Sequence, residues 1–159
     1  MEFVKATKEE SKEILAMYRS AIGTEGCTWT LDYPNVKDME GDLERGDLFC
    51  LKDKGTIIGA VSVDLDMSVE RLSCWDTNLQ PGAELARLVV RKEYRNQGIA
   101  RLLLQEGMDE LRRRGKKSVH FLVSKGNQRA LRSYDKLVFQ NKGECFLYDG
   151  EWWCYEKEL

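Results

Sequence analysis

The sequence predicts an α/β domain, and three patterns in it carry that expectation. Its second half alternates apolar strand, long amphipathic helix, apolar strand and helix in the stretch from "AELARLVVR" to "NQRALRSYDKLVF". Two strands joined across a helix of that length pair in parallel, by a right-handed crossover. Short alternating segments with turn residues between them, at "DLFCLKD…GTIIGAVSVDLD" and in the terminal "ECFLYDGEWWCYEKEL", add antiparallel hairpins. No repeat, linker or low-complexity tract divides the 159 residues, so they are expected to form a single domain, 1–159.

The elements follow in order. "EFVKA" is a short strand, and "TKEESKEILAMYRSAIG" a helix whose entry carries Thr7 and Glu10 as a capping box and whose exit carries Gly23. "GCTWTLDYPNV" is irregular and bears Trp29 and Tyr33, with Pro34 opposing helix on its near side. "VKDMEGDLERG" is a short acidic helix. The next two strands turn at Asp53, Lys54 and Gly55. "MSVERLSCWDTNLQPG" then reads as a long loop, of the kind that is functional or mobile inside a compact domain. The helix over 98–115 places Ala100, Leu103, Leu104, Met108 and Leu111 on one buried stripe. "SVHFLVS" is an apolar strand. The final hairpin is expected to turn at Asp149 and Gly150.

Composition narrows the function. With 42% hydrophobic and 33% charged residues and a net charge of −2, the chain has a globular balance and lacks the bulk positive charge for nonspecific nucleic-acid binding. Arg112, Arg113, Arg114, Lys116 and Lys117 cluster at the end of the long helix, as a solvated helix terminus or as a phosphate patch. Five scattered cysteines without a C-x-x-C pair, and a single histidine, His120, argue against a metal site and for free thiols in a reducing cytoplasm. No stretch approaches the run of about 20 apolar residues that spans a bilayer, and "MEFVKATKEE" lacks the layout of a secretion signal. A cytoplasmic protein with no membrane or nucleic-acid partner is the expectation.

Two motifs carry chemistry. In "RNQGIA", residues 95–100, a glycine-bearing turn opens the long helix. Unpaired N–H groups at a helix start, the helix dipole and the charge of Arg95 together suit a pyrophosphate. An ordinary strand-to-helix turn remains the other reading of this loop alone. In "NQRALRSYDKLVF", Asn127, Ala130 and Tyr134 stand three, four and then seven residues apart in total, on one helix face. Asn127 is also a natural N-cap, and Tyr134 could be a core aromatic.

"RNQGIA" resembles the [QR]-x-x-G-x-[GA] pyrophosphate loop of the GNAT superfamily of acyl-CoA-dependent N-acetyltransferases, and "NQRALRSYDKLVF" resembles its N-x-x-A-x-x-x-Y-x-K-x-G-F helix. The two motifs are in the right order, one helix and one strand apart, and the element order matches over nearly the whole chain. Val138 departs from the family pattern, which has glycine there. The resemblance implies a mixed, mostly antiparallel sheet with a central splayed parallel pair and helices on both faces. It implies that Arg95, Asn96, Gln97, Gly98, Ile99, Ala100 and Arg101 cradle the pyrophosphate of acetyl-CoA, with no metal. Backbone groups of Leu88, Val89 and Val90 would meet the pantetheine arm, with Asn127 and Ala130 on its other side. Tyr134 would protonate or hydrogen-bond the departing thiolate, whose basicity is close to that of a cysteine thiolate.

The acceptor amine must lose a proton, and an alkylammonium holds its proton up to about pH 10. Glu84 lies eleven residues before Arg95, the spacing at which some family members carry a glutamate base. Alternation places Glu84, Ala86, Leu88 and Val90 on one strand face. Glu84 is therefore either the base or a solvated residue paired with Arg87. The remaining segments would shape the acceptor site, with Trp29, Tyr33, Asp64, Asp66 and Trp75 as its candidates and a cationic small amine as the preferred acceptor. A protein lysine or N-terminal acetyltransferase, and a non-catalytic acyl-CoA sensor, are the alternatives, and the assembly state is open to a homodimer.

Overall fold

A computed structural model describes residues 1–159. Seven strands, β1 (Glu2–Lys5), β2 (Leu48–Asp53), β3 (Thr56–Asp64), β4 (Gly82–Val90), β5 (Ser118–Ser124), β6 (Gln140–Leu147) and β7 (Gly150–Glu158), form one sheet in the order β1-β2-β3-β4-β5-β7-β6. The pairs β1–β2, β2–β3, β5–β7 and β6–β7 are antiparallel, and β4–β5 is the parallel pair expected across the long helix. Its pairing covers Gly82–Ser118, Ala83–Val119 and Glu84–His120, while β4 continues to Val90 and β5 to Ser124. The helices are α1 (Ser11–Ala21), α2 (Val36–Arg45), α3 (Met67–Glu70), α4 (Ile99–Arg113) and α5 (Gln128–Asp135). The chain divides into two compact units, 1–64 with 85–107, and 65–84 with 108–159.

In the first unit, α1 presents Ile14, Met17 and Tyr18 on one face at helical spacing, and these pack with Met39, Leu48, Cys50, Ile57, Ala60 and Val89. Trp29 joins this core edge-on to Tyr18, with ring centroids 5.6 Å apart. The Thr7–Glu10 capping box forms as read, closing a short 3₁₀ turn ahead of α1. Asn35 and Asp38 make a second box at the start of α2. The β2–β3 turn uses Lys54 and Gly55 in left-handed conformations, as the tight hairpin demands. A Cβ on Gly59 would lie 2.7 Å from Leu103 Cδ1 and 3.1 Å from the carbonyl of Val89, so β3 needs a glycine for α4 to pack this closely. The buried stripe of α4 is Ile99, Leu103, Leu104, Met108 and Leu111, and Ala100, expected inside, is exposed.

In the second unit, the stretch read as a loop is ordered by short-range and long-range bonds. Asp66 caps α3 by accepting from Ser68 N at 2.9 Å, and the Trp75 indole donates to the Val69 carbonyl at 2.8 Å. Asp76 caps a 3₁₀ turn at Thr77–Leu79, and its own N–H reaches Glu156 Oε1 on β7 at 3.0 Å. Val69, Trp75 and Cys154 form a small core with Leu72, Cys74, Leu122, Cys145 and Leu147 around it. The terminal hairpin turns at Tyr148 and Asp149, both left-handed, one position earlier than expected. The β6–β7 register shifts between Asn141 and Glu144.

The motif helix α5 stops at Asp135, and the chain leaves it through Val138 at φ 63°. Val138 N–H bonds the Asp135 carbonyl at 3.2 Å and Phe139 N–H the Tyr134 carbonyl at 3.5 Å, a Schellman ending that glycine normally occupies. A β-branched residue in the left-handed region is strained by about 1–2 kcal/mol or more. The turn is therefore one that glycine normally builds, formed here against a steric penalty. Val138→Gly is expected to raise stability by about 0.5–1 kcal/mol, part of the relief being offset by the more flexible unfolded chain. Urea titration of the two proteins reads this directly, and an unchanged or lower midpoint would count against the strain.

Candidate active site

The first motif lies where β4 hands over to α4. A 3₁₀ turn at Lys92–Tyr94 precedes the loop, in which Asn96 (φ 63°) and Gly98 (φ 81°) are left-handed. These two kinks turn the backbone into the start of α4, which opens with a hydrogen bond from Leu102 N–H to the Gly98 carbonyl at 3.1 Å. The N–H groups of Gly98, Ile99, Ala100 and Arg101 precede that bond and so have no helical acceptor of their own. A Cβ at Gly98 would meet nothing within 4 Å, so the backbone is open to a close ligand. Arg95 is braced by its Nε–H on the Val90 carbonyl at 3.2 Å and by Ser20 Oγ at 3.3 Å, and Gln97 is tied to the Glu93 carbonyl at 3.1 Å. Asn96, Gln97, Gly98, Ala100 and Arg101 are exposed, while Ile99 anchors the loop in the core. Free donors, a helix dipole and a fixed cation make a cradle for a phosphate group.

Immediately upstream, β4 does not keep its pleat. Arg87 sits at φ 51°, so the expected run of Glu84, Ala86, Leu88 and Val90 on one face is interrupted between Ala86 and Leu88. Arg87 is 7% exposed and its guanidinium is shared by acids of the same unit. It bonds Asp42 twice at 2.8 Å, Asp64 at 3.0 and 3.1 Å, and the Tyr33 hydroxyl at 3.1 Å. Ser62 donates to Asp42 at 2.7 Å, and Arg45 adds a further contact to it at 2.8 Å. Those partners keep the guanidinium charged and raise its proton affinity against the opposing effect of burial. Arg87 is thus paired with Asp42 and Asp64.

The second motif lies in α5, with aromatic side chains of its own unit around it. Asn127 caps α5, its side-chain oxygen accepting from Ala130 N–H at 3.1 Å, which leaves the amide nitrogen as a donor. Ala130 is one turn on and half-buried. Tyr134 packs its ring at 4.8 Å from Phe121 and 6.1 Å from both Phe139 and Tyr155. Burial alone pushes its phenol up to about 12. A phenol in that setting keeps its proton at neutral pH and is a donor rather than a base. Glu84, also in this unit, is 7% exposed at the parallel register partner of His120. The Tyr148 hydroxyl donates to Asp66 at 2.6 Å, and that bond, with burial behind it, raises the phenol above its ordinary value.

A model of the acetyltransferase (GNAT) family matches residues 13–139. The chain belongs to the GNAT family of acetyltransferases. Solved acetyltransferases share its fold at low identity. A GNAT-family acetyltransferase from Streptococcus agalactiae is 18% identical at a TM-score of 0.78, covering 99% of this chain and 95% of its own. YncA of Salmonella typhimurium, determined with its cofactor acetyl-CoA, is 19% identical at a TM-score of 0.72 over 100% and 94% of the two chains. A ribosomal-protein-alanine N-acetyltransferase from Brucella melitensis is 20% identical at 0.73 over 100% of both. No curated protein matches the sequence. Acetyl-CoA is the co-substrate of this GNAT acetyltransferase, and the open, donor-rich cradle at Gly98 fits its pyrophosphate.

The acceptor candidates of this acetyltransferase fare differently from the loop. Trp29 and Trp75 are packed into the two cores, Asp64 is held by Arg87, and Asp66 caps α3 and accepts from Tyr148. Tyr33, 44% exposed, accepts from Arg87 through its hydroxyl. Each of the five therefore has a structural occupation. Tyr148 itself is absent from the sequence reading, because only the Asp66 bond and the hairpin turn mark it. No helix is long and apolar enough to cross a membrane.

Gly98→Pro is expected to weaken acetyl-CoA binding by more than about tenfold. Proline holds φ near −65°, far from the 81° seen here, and it lacks the N–H. Titration calorimetry on a variant with a wild-type circular dichroism spectrum decides it, and equal affinity would reduce the loop to a turn.

Proposed function

We propose that the chain is an N-acetyltransferase for a primary amine of a small molecule, acting by direct attack of the amine in a ternary complex. The observation that carries this is the match of a protonated Tyr134 on the motif helix with the open, donor-rich loop at 95–100, in a chain of the acetyltransferase family. Bound acetyl-CoA supplies an acetyl group activated as a thioester. Residues 95–101 bind its pyrophosphate, the Leu88–Val90 backbone and the Asn127 amide hold its arm, and Tyr134 donates its proton to the leaving sulfur. Glu84 accepts the ammonium proton, directly or through water, so that the nitrogen lone pair is free to attack. A small cationic amine is preferred as acceptor because carboxylates attract a cation, and Glu84 and Asp66 both belong to the unit that carries Tyr134.

Release of free thiol from acetyl-CoA, followed with a panel of small amines and with peptides bearing lysine or a free N-terminus, tests the assignment. Turnover confined to small amines supports it. Turnover confined to peptides moves the chain to the protein-modifying class, and no thiol release above background with either panel makes it an acyl-CoA-binding sensor. Glu84→Gln should lower kcat with a small amine by about 10²-fold or more at neutral pH, the loss typical of a general base.

A further inference from the structure

Arg87 sits inside β4, where strand residues are ordinarily extended, yet its backbone is left-handed at φ 51°. Its side chain is as unusual as its backbone. The guanidinium is buried, and it carries five N–H groups in a rigid fork. Nε–H and one Nη2–H bond Asp42 on α2, both at 2.8 Å. Nη2 also lies 3.0 Å from Asp64 Oδ1 at the end of β3. Nη1 donates to Asp64 Oδ2 and to the Tyr33 hydroxyl, both at 3.1 Å. Asp42 is held in turn, its Oδ1 by Arg45 at 2.8 Å and its Oδ2 by Ser62 at 2.7 Å. Each N–H of the fork therefore has an acceptor within the first unit. No donor is left over for a substrate acid or a phosphate.

Stability alone does not call for this residue. A Cβ in the left-handed region is strained, and glycine makes such a break in a strand without that strain. A buried ion cluster is often no more stable than apolar side chains of the same volume. Both penalties fall on one residue, and backbone strain over-determined by its surroundings is a mark of geometry put to use. The chain that follows Arg87 is the backbone of residues 88–90. Its far end is fixed as well. Arg95 Nε–H donates to the Val90 carbonyl at 3.2 Å, and Arg91 N–H to the Ile58 carbonyl at 2.8 Å. Val89, between the two ends, is anchored in the core of the first unit. A strand that regained its regular pleat at residue 87 would rotate the N–H and C=O groups that follow away from their present edge.

We propose that Arg87 is a positioning residue whose gripped guanidinium holds the left-handed break in β4 and so aims the backbone of residues 88–90 at the acyl-CoA arm. The proposal rests on the reading that this backbone holds the arm. Arg87 touches no part of the cofactor in this scheme. It acts through the peptide groups that come after it, and Asp42 and Asp64 serve the same geometry from α2 and β3.

Arg87→Lys keeps a cation among the acids but loses the fork, since an ammonium is a point charge without paired, planar donors. Calorimetry with CoA, and with the nucleotide half of CoA, which keeps the pyrophosphate and lacks the arm, reads the two contributions apart. CoA affinity should fall about tenfold or more, the worth of one or two misaligned hydrogen bonds, with the nucleotide half within about twofold of wild type. Should Arg87→Lys fail to fold, Asp64→Asn is read in its place, because Arg87 there keeps both Asp42 bonds. Its CoA affinity should fall about threefold, with the nucleotide half again unmoved. Equal losses for both ligands, or no loss for either, overturn the proposal and leave Arg87 as a structural ion pair. Failure of the underlying reading looks different. Wild-type protein that binds CoA no more tightly than its nucleotide half does not use residues 88–90 to hold the arm.

Discussion

Tyr134→Phe is expected to lower kcat by about 10²–10⁴-fold while changing acetyl-CoA affinity little, the signature of a lost general acid. The substitution keeps the ring that packs among Phe121, Phe139 and Tyr155, so the fold of the motif helix should not change. It removes only the hydroxyl, whose environment pushes the phenol up to about 12. The sign matters for the pH profile. A raised phenol keeps its proton until pH approaches that value, so Tyr134 should contribute no alkaline limb in the range where the enzyme is assayed. Single-turnover thiol release separates chemistry from product release. A variant that matches wild type in that phase removes Tyr134 from the transfer and leaves it as a core aromatic.

Arg87→Met should cost about 3–5 kcal/mol of stability, the largest loss expected from any single change in the first unit. Methionine can fill the volume but leaves Asp42 and Asp64 facing one another without their shared guanidinium, and Asp42 is 1% exposed. Leaving a buried charge unpaired is costlier than never having built the pair. Asp64→Asn should cost less, because Arg87 keeps its two bonds to Asp42. Denaturant unfolding of the three proteins orders these losses. Equal stability of Arg87→Met and wild type would mean that the cluster is already compensated by Arg45 and Ser62. The pairing also bears on specificity. An Asp64 committed to Arg87 is a poor anchor for a cationic acceptor, so Asp64→Asn should alter stability more than it alters the KM for any amine.

Much of the fold was legible because its signals are local. Thr7 with Glu10, the Lys54–Gly55 turn and the spacing of Leu103, Leu104, Met108 and Leu111 each reflect contacts within a few residues. The pyrophosphate loop and the Asn127 cap were legible for the same reason. What escaped depends on partners far along the chain. The stretch between β3 and β4 looked like a loop because its order comes from Asp76 bonding Glu156, eighty positions away, and from Tyr148 bonding Asp66, eighty-two away. Strict alternation failed at Arg87 because arginine gives no warning of a left-handed backbone, and the acids that hold it lie on α2 and β3. Ala100 was misplaced by one helical position. Ile99 turns inward instead, and the small exposed alanine leaves the helix start clear for a ligand.

The register shift in β6 between Asn141 and Glu144 has a consequence for how the molecule behaves among its own copies. β6 ends the sheet order, so one row of its peptide groups faces outward and could template another chain. Gly143 at φ 119° breaks the regular spacing of those groups, and Lys142 and Glu144 put charge on either side of the break. An incoming strand would have to match an irregular backbone and bury two charges, one of which already engages Lys125. The irregularity therefore makes this edge a poor template for strand addition, at the cost of two ladder positions that β7 cannot use.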